Sequence, residues 1–217
     1  MPIHARQTSP AAERNQGPIL AALQHLLPAQ GRLLEIASGT GQHAVFCSAG
    51  LPGWTWQPSD PSPAALASIE AWRADQPAPS LQAPWPLDVL VEPWAVPAAQ
   101  IAQFDAVFCA NMLHIAPWAC CAALMRGAAR LLTAQGRLIT YGPYLIDGVT
   151  TAPGNLAFDA DLRGRNPAWG LRSVQAVAAQ ASAVGLHLTS QHPMPANNRL
   201  LVFSLEPDAL PAPTLHG

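Results

Sequence analysis

The residues best placed to bind a nucleotide cofactor lie at positions 35–43, which read Glu-Ile-Ala-Ser-Gly-Thr-Gly-Gln-His. A short apolar run before them predicts a buried strand that ends at Glu35, and residues 42–49 predict a helix after them. Gly39 and Gly41 permit a sharp turn and let a ligand approach where a Cβ would clash. The first amides of the helix have no partner within it, so they point toward the loop. The pattern therefore predicts a cofactor loop.

Two cofactor classes use such a loop. Residues 39–44 match G-x-G-x-x-A, and Asp60 lies about 20 residues further on, the distance at which a carboxylate meets a ribose. That carboxylate would serve NAD and S-adenosylmethionine alike. Glu35 favours S-adenosylmethionine, because a carboxylate attracts its cationic methionine end and would repel a pyrophosphate. Asp88, which follows the third predicted strand, can accept a hydrogen bond from an adenine amino group.

Strands and helices alternate along the chain as far as about residue 185. Apolar runs predict strands at residues 32–36, 54–57, 81–87, 104–109, 137–141, 186–192 and 200–205. Helical spacing predicts helices at residues 14–28, 42–49, 63–75, 118–132 and 173–184. Pro18 fits the first turn of the first helix, Ser173 caps the last one and Gly185 ends it. The last two strands have a short connection, which forces an antiparallel pair and predicts an α/β fold.

Further polar residues follow the fourth and fifth strands, whose carboxyl ends border the ligand crevice of an open sheet. Asn111 offers a carbonyl and an amide to the cofactor or the substrate. His114 could take a proton from a nucleophile, since histidine titrates near neutral pH, or it could cap a helix or pack in the core. His43 is interpreted as a residue that orders the loop rather than as a base.

About 30 residues separate the fifth strand from the last helix, a length that indicates a lid or a substrate loop. Asp159 is a second candidate for catalysis, although it could instead pair with Arg163 one helical turn on. Trp169 could also simply fill the edge of the core. The candidate substrate contacts from strand five and the later loops are Tyr141, Tyr144, Asn155, Trp169, Arg172, Asn197 and Asn198.

Composition limits the partners. The chain has 217 residues, a charged fraction of 11%, a net charge of −2 and no lysine, which gives no basic face for nucleic acid. The four cysteines form no C-x-x-C pair, so neither a zinc site nor a disulfide framework is expected. No apolar run reaches the length of a membrane helix and no signal peptide is evident, so we expect a cytoplasmic protein. We expect a flexible segment at residues 1–13, a domain at 14–206 and a proline-rich tail at 207–217.

The ordered motifs resemble those of class I methyltransferases, which have a Rossmann-like seven-stranded sheet, mostly parallel with one antiparallel strand and helices on both faces. The motifs are residues 35–41, Asp60, residues 87–89, and residues 104–114, which read Phe-Asp-Ala-Val-Phe-Cys-Ala-Asn-Met-Leu-His. The resemblance implies S-adenosylmethionine as cofactor but assigns no substrate. We expect an oxygen, nitrogen or sulfur nucleophile of a small molecule as acceptor, and no metal. The resemblance also implies cofactor contacts from Glu35, Ala37, Gly39, Gly41, Asp60, Asp88, Val89 and Asn111.

A narrower set of motifs resembles the family of methyltransferase-like protein 26. These motifs include Arg14-Asn15, Trp-Gln-Pro-Ser-Asp at 56–60, Tyr-Gly-Pro-Tyr at 141–144, Asn-Leu-Ala-Phe-Asp at 155–159 and Met-Pro-Ala-Asn-Asn at 194–198. They extend over residues 14–205. The usual first motif of the class has glycine where Ala37 stands; alanine costs little there if its φ is negative, but it narrows the loop.

Two alternatives to a methyltransferase remain at this point. An NAD-dependent oxidoreductase would fit the glycine loop, but without lysine the common Tyr-x-x-x-Lys pairing is impossible. A module that binds the cofactor without turnover would also fit. The sequence fixes neither the methyl acceptor nor the oligomeric state.

Overall fold

One mixed sheet lies at the centre of the part of the chain that the computed structural model describes, residues 6–205. Its strands are β1 (Gly31–Ile36), β2 (Trp54–Asp60), β3 (Trp85–Pro86), β4 (Phe104–Ala110), β5 (Leu132–Leu145), β6 (Arg172–Ser173), β7 (His187–Met194) and β8 (Asn198–Ser204). The helices are α1 (Pro10–Leu26), α2 (Gln42–Gly50), α3 (Pro63–Asp75), α4 (Ala119–Leu131), α5 (Pro153–Arg165) and α6 (Val174–Ser182).

The strand order is β3-β2-β1-β4-β5-β8-β7, and the two-residue β6 pairs with the end of β5 outside this path. Strands β1 to β5 pair in parallel, whereas β8 runs antiparallel to both β5 and β7. The prediction of a seven-stranded, mostly parallel sheet with one antiparallel strand is therefore confirmed, and β6 is an addition to it. The carboxyl ends of β1, β2, β4 and β5 consequently meet at one edge of the sheet.

Apolar side chains cover both faces of the sheet. One cluster joins α1 and α2 to alternate residues of β1, β2, β4 and β5, including Leu33, Trp56 and Phe108. The other cluster joins α4 and α6 to the opposite faces of the same strands, including Leu34 and Val107. This near-continuous apolar character is typical of strands that are buried on both faces.

Helix α1 begins four residues before the predicted domain start at residue 14. Ser9 caps the helix by accepting a hydrogen bond from the Ala12 amide at 3.4 Å, and Pro10 occupies the first turn. Pro18 therefore lies inside the helix and not in its first turn, which corrects the sequence-based assignment. Because proline has no N–H, Pro18 cannot donate the helical hydrogen bond to the Arg14 carbonyl.

The long connection after strand five also differs from the prediction. It contains the thirteen-residue helix α5 and the short strand β6, and β5 itself extends to Leu145 instead of ending near residue 141. The third strand shrinks to two residues, with only an isolated bridge between Trp56 and Leu81 before it. The Ser173 cap and the end at Gly185, whose φ is 81°, are confirmed. The predicted tail at 207–217 lies outside the described residues.

None of the helices in residues 6–205 is long and apolar enough to cross a membrane.

Candidate functional site

The loop between β1 and α2 has three residues in the left-handed region. Ala37, Gly39 and Gly41 have φ values of 56°, 56° and 88°. The condition under which Ala37 would cost little, a negative φ, is therefore not met, and the alanine is strained. A Cβ on Gly41 would lie 3.0 Å from the Ile69 Cα of α3, so glycine is needed there for space as well as for conformation. At Gly39 the direction of a Cβ is open, which leaves room for a ligand beside the loop.

Glu35 is buried beneath this loop. Its side chain is 1% exposed and accepts a hydrogen bond from the Trp56 indole at 2.9 Å. Burial raises the pKa of Glu35 to about 7, while hydrogen bonds from Trp56 and Ser38 act in the opposite direction and nearby Asp60 raises it further. The carboxyl therefore acts on the loop mainly through Ser38, and the structure gives it no direct opening to a ligand.

Asp60 ends β2 and faces the glycine loop directly. One carboxylate oxygen accepts the Gly39 amide at 2.9 Å and the other accepts the Ser62 amide at 2.9 Å. The cap of α3 is Ser62, so Asp60 does not cap that helix. A carboxylate has about four acceptor positions, so Asp60 keeps capacity for further donors such as hydroxyl groups.

Asp88 and Val89 lie on the other side of Asp60, after β3. Asp88 is exposed, accepts the Leu90 amide at 2.9 Å and lines a cavity of ≈ 300 Å³ with Pro61 and Leu87. Val89, in contrast, is a buried core residue, and its carbonyl accepts the Trp94 indole at 3.1 Å. Of this predicted pair, only Asp88 has a side chain that faces open space.

A cleft of ≈ 880 Å³ opens at the carboxyl ends of β4 and β5. It is bounded by α1 with its cap, the segment after β4, the end of β5, the start of α5 and the β7–β8 connection. Its lining residues are Ser9, Ala11, Arg14, Asn15, Pro18, Asn111, His114, Ile115, Tyr141, Pro143, Gly154, Asn155, Phe158, Pro195, Ala196, Asn197 and Asn198. The structure thus brings together six predicted residues, which are Asn111, His114, Tyr141, Asn155, Asn197 and Asn198.

Asn111 and His114 are fixed by the turn that follows β4. Asn111 has a φ of 63°, which asparagine tolerates better than most residues, and its amide donates to the Tyr141 carbonyl at 2.8 Å. His114 is buried and its ring meets Phe158 edge to face with 5.6 Å between centroids. Burial, together with the charge of Arg172, lowers the pKa of His114 to about 4. The imidazole is consequently neutral at pH 7 and is a weak base.

A hydrogen-bonded chain connects the cleft to α2. His43 Nε2 lies 2.6 Å from the Asn15 side-chain oxygen, and the Asn15 side chain also bonds the Tyr141 hydroxyl. Burial lowers the pKa of His43 to about 4, so its neutral ring donates to Asn15. Burial raises the pKa of Tyr141, and the hydrogen bond with Asn15 only partly offsets this. The interpretation of His43 as an ordering residue agrees with these contacts.

Four of the residues that were predicted to act in catalysis or substrate binding lie outside the cleft. Tyr144 is buried and donates to the Thr140 hydroxyl at 2.8 Å. Trp169 is half-buried, and the Arg165 guanidinium lies over its ring at 5.3 Å from the centroid. Arg172 donates to the carbonyls of the segment after β4 and of the loop after α5, namely Leu113, Ala116 and Ala168. Through these contacts the side chains of Tyr144, Trp169 and Arg172 support the local structure.

Asp159 is the fourth of these residues. Its carboxylate accepts the Arg163 guanidinium at 2.9 Å and the Leu171 amide at 2.6 Å. Partial burial disfavours the charged form, but these hydrogen bonds outweigh it and lower the pKa of Asp159. The structure therefore favours the alternative pairing with Arg163 over a catalytic role, because a carboxylate so engaged outside the cleft is neither free nor basic.

The sequence interpretation assigned no role to the α1 side of the cleft. Ala11, Arg14, Asn15 and Pro18 follow one another at helical spacing, on a face different from the buried one that carries Ile19. With the helix start placed at residue 14, only part of this stripe was inside the predicted helix. A correct start at the Ser9-Pro10 cap would have added Ala11 to the helical face that carries Arg14, Asn15 and Pro18.

In residues 6–205 no group of three or more His, Cys, Asp or Glu side chains lies close enough together to hold a metal ion.

The fold is similar to that of solved O-methyltransferases. Mitomycin 7-O-methyltransferase MmcR superposes with a TM-score of 0.75 at 16% identity, over 89% of this chain and 54% of that one. The S-adenosylmethionine-dependent methyltransferase SibL gives 0.73 at 18% identity, over 89% and 55%. An O-methyltransferase family protein from Burkholderia thailandensis gives 0.73 at 16% identity, over 89% and 57%. The chain thus spans about half the length of these neighbours.

At such identities the likeness concerns the fold, which is that of class I methyltransferases. A family model gives the closer relation, because it matches residues 6–205 and so nearly the whole chain. The chain belongs to the family described as protein of unknown function (DUF938).

Proposed function

We propose that this protein is an S-adenosylmethionine-dependent methyltransferase that methylates an oxygen, nitrogen or sulfur atom of a small molecule. The observation that carries the proposal is the arrangement of the sheet edge. The glycine loop, Asp60 and Asp88 lie at the ends of β1, β2 and β3, and the large cleft opens beside them at the ends of β4 and β5. Donor and acceptor molecules could therefore meet near Asn111.

The antiparallel strand β8 argues against the NAD-dependent oxidoreductase. In the doubly wound dinucleotide fold the strand order is 3-2-1-4-5-6. Here β8 lies between β5 and β7 and runs opposite to both. The absence of lysine from the sequence also removes a common catalytic partner of such enzymes. The similar solved structures, which are methyltransferases, support the same choice.

Each acidic residue would hold a different part of the donor. Asp60, already positioned by the Gly39 amide, has acceptor capacity left for the ribose hydroxyls. Asp88 is exposed beside a cavity and would accept from the adenine amino group. Glu35 is buried and would act on the methionine end through the loop that it supports, by its hydrogen bond with Ser38. Ala37, Gly39 and Gly41 would border the methionine portion.

The bound donor supplies an already activated methyl group on a cationic sulfur. The chain would then contribute mainly by positioning the acceptor, an effect worth about 7–11 kcal/mol for well-oriented reactants. Asn111 and the Tyr141 hydroxyl line the cleft and would orient the nucleophile by hydrogen bonds. His114 is neutral and would accept a proton only weakly, because its pKa is lowered to about 4.

The narrower identity and the cellular setting belong to this proposal as well. The motif resemblance supports a relation to methyltransferase-like protein 26. The four cysteines are free and buried, which supports a reducing compartment such as the cytoplasm. A module that binds the donor without turnover is the second candidate, since the weak base His114 and the engaged carboxylate of Asp159 leave no strong general base among the residues that were predicted to be catalytic.

The proposal is tested by following tritium from methyl-labelled S-adenosylmethionine into a small-molecule cell extract. We expect label in a low-mass product, and Asp60→Ala should weaken donor binding by about tenfold or more, because two charge-assisted hydrogen bonds to the ribose are lost. Asp161→Ala is the matched control, since Asp161 is an exposed carboxylate on α5. Donor affinity of Asp60→Ala within about twofold of the wild type would refute the ribose assignment. Tight donor binding without any labelled product would favour the binding module.

A further inference from the structure

The arginines of this chain fall into two groups. All eleven basic residues are arginines, and all lie within residues 6–205. Five form ion pairs with carboxylates: Arg6, Arg73, Arg126, Arg163 and Arg165. Four others donate side-chain hydrogen bonds: Arg32, Arg130, Arg137 and Arg172. Only Arg14 and Arg199 have no side-chain partner among the described residues.

Both of these arginines lie at the carboxyl edge of the sheet, but they line different cavities. Arg14 lines the large cleft. Arg199 lines an adjoining cavity of ≈ 250 Å³ with Tyr144. In the β5–β8 ladder, Arg199 lies opposite Gly142. The residues next to Gly142 along β5 are Tyr141 and Pro143, and both line the cleft. Because side chains alternate along a strand, Arg199 points to the face of the sheet opposite to that of Tyr141 and Pro143. The two cavities meet at Asn155, Asn197 and Asn198, which line both, but Arg199 does not line the cleft.

The electrostatic character of the cleft follows from its lining. No aspartate or glutamate is among the lining residues, and the imidazole of His114 is neutral. The remaining polar groups are amides and hydroxyls, among them Asn15, Asn155 and Tyr141. Among residues 6–205, the guanidinium of Arg14 is therefore the only formal charge on the wall of the cleft.

The position of Arg14 is fixed by the helix that carries it. Ile19 and Leu23 bury the opposite side of α1 with 0% exposure, which anchors the helix on the sheet. The side chain of Arg14 is exposed, so the guanidinium keeps its five donors for a molecule in the cleft. Ile115 and Phe158, exposed by 44% and 37%, provide apolar surface in the same cleft.

We propose that the acceptor molecule is an anion, and that Arg14 binds its carboxylate or phosphate group while Ile115 and Phe158 contact its apolar part. The proposal rests on the methyltransferase function and specifies its substrate class. A planar guanidinium matches both oxyanions through two parallel hydrogen bonds, and a neutral isostere offers no charge to pair with it. Since Arg14 is exposed, salt should weaken this recognition.

The test is calorimetry of the full chain, with S-adenosylhomocysteine present at saturation. The probes are benzoate, phenyl phosphate and the uncharged benzamide. We expect at least one anion to bind more tightly than benzamide, and the comparison of the two anions identifies the group that the cleft prefers. Arg14→Gln should weaken the binding of that anion by about tenfold or more, the usual worth of a hydrogen-bonded charge.

Arg199→Gln is the matched control, because it removes the same charge from the same edge of the sheet but from the other cavity. Its anion affinity should stay within about twofold of the wild type. Equal affinity for benzamide, an unchanged Arg14→Gln, an equal loss in Arg199→Gln, or no anion binding at millimolar concentration would each overturn the inference. In all four cases binding of S-adenosylhomocysteine would leave the methyltransferase proposal intact, whereas failure of that binding would count against the methyltransferase itself.

Discussion

At the scale of single residues, the backbone of the glycine loop is strained at Ala37. Its φ of 56° lies in the left-handed region, where an L-residue is disfavoured by roughly 1–2 kcal/mol. Glycine would relieve this strain but would lose more entropy on folding, about 0.5–1 kcal/mol, and the partly buried methyl group would lose its contact with the core. The free-energy cost of the left-handed φ at Ala37 is consequently larger than the entropic advantage of alanine over glycine.

We predict that Ala37→Gly leaves the free energy of unfolding unchanged or raises it by up to ~1 kcal/mol. Urea denaturation measures this difference. The control is Ala179→Gly, at an exposed position inside α6, which should lose about 1 kcal/mol because glycine is a poor helix former. A loss in Ala37→Gly as large as that in the control would contradict the account of the strain.

Glu35 makes stability depend on pH. Its pKa is about 7 in the folded protein and 4.5 in the reference state, so the folded protein binds more protons between these values. Stability from this group is therefore present below pH 4.5 and is lost as the pH rises to about 7, by roughly 3 kcal/mol. His43 and His114, whose pKa values are lowered from 6.5 to about 4, act in the opposite sense, since their neutral folded forms gain stability as the pH rises.

Glu35→Gln isolates the carboxyl, because glutamine still accepts the Trp56 indole but does not titrate. Relative to this variant, the wild type should lose stability steadily as the pH is raised from 4.5 to about 7. Thermal or urea unfolding in a pH series gives the difference. Parallel curves for the two proteins across that range would mean that Glu35 is not held in its protonated form.

At the scale of elements, the segment after Asp88 is held against α4 by one aromatic ring. Trp94 is 3% exposed, and its ring lies where a Cβ on Gly127 would be, at 2.1 Å from the nearest ring carbon. Arg130 of the same helix donates to the Trp94 carbonyl at 2.8 Å. Because Trp94 belongs to the segment that follows Asp88, the position of this segment depends on the absence of a side chain at Gly127 in α4.

We predict that Gly127→Ala destabilises the protein by about 1–3 kcal/mol, as overpacking does, although alanine is the better helix former. Because the displaced ring belongs to the segment after Asp88, donor affinity should fall as well. Gly164→Ala in α5 meets nothing within 4 Å and should instead gain up to about 1 kcal/mol. If both variants gained stability, the contact between Trp94 and Gly127 would not be tight.

The helices and strands show how much of the fold could be predicted from the sequence. Strands buried on both faces and strongly periodic helices, such as α3 and α4, were predicted nearly to their ends, because burial fixes their pattern. Helix α5 was missed since it buries only Asn155 and Leu162 and so has no apolar stripe. Strand β3 was overestimated, because its apolar residues alternate with prolines that cannot donate to a ladder.

The positions of the site residues were predictable where local structure determines them and unpredictable where tertiary contacts do. Asp60 and Asn111 were placed correctly beside the loop and the cleft, because the carboxyl end of a strand determines where the next residues lie. Arg172 and Asp159 were not, since their partners come from segments whose contacts depend on the tertiary structure. Arg14 received no role because the side of α1 that borders the cleft is decided by tertiary packing.

At the scale of the whole molecule, the two proposed binding regions share one edge of the sheet. The proposed donor region lies at β1 to β3 and the proposed acceptor cleft at β4 and β5, while α1 and α5 border the cleft on two sides. The hydrogen bond from the Asn155 amide to the Asn197 carbonyl at 3.2 Å connects α5 to the β7–β8 connection and closes one side.

The most direct measurement is a calorimetric titration of the full chain with S-adenosylmethionine, S-adenosylhomocysteine and NAD in separate runs. The account predicts that both sulfur compounds bind at a single site per chain and that NAD gives no binding heat. Binding of NAD without binding of either sulfur compound would contradict it, and so would the absence of binding by all three.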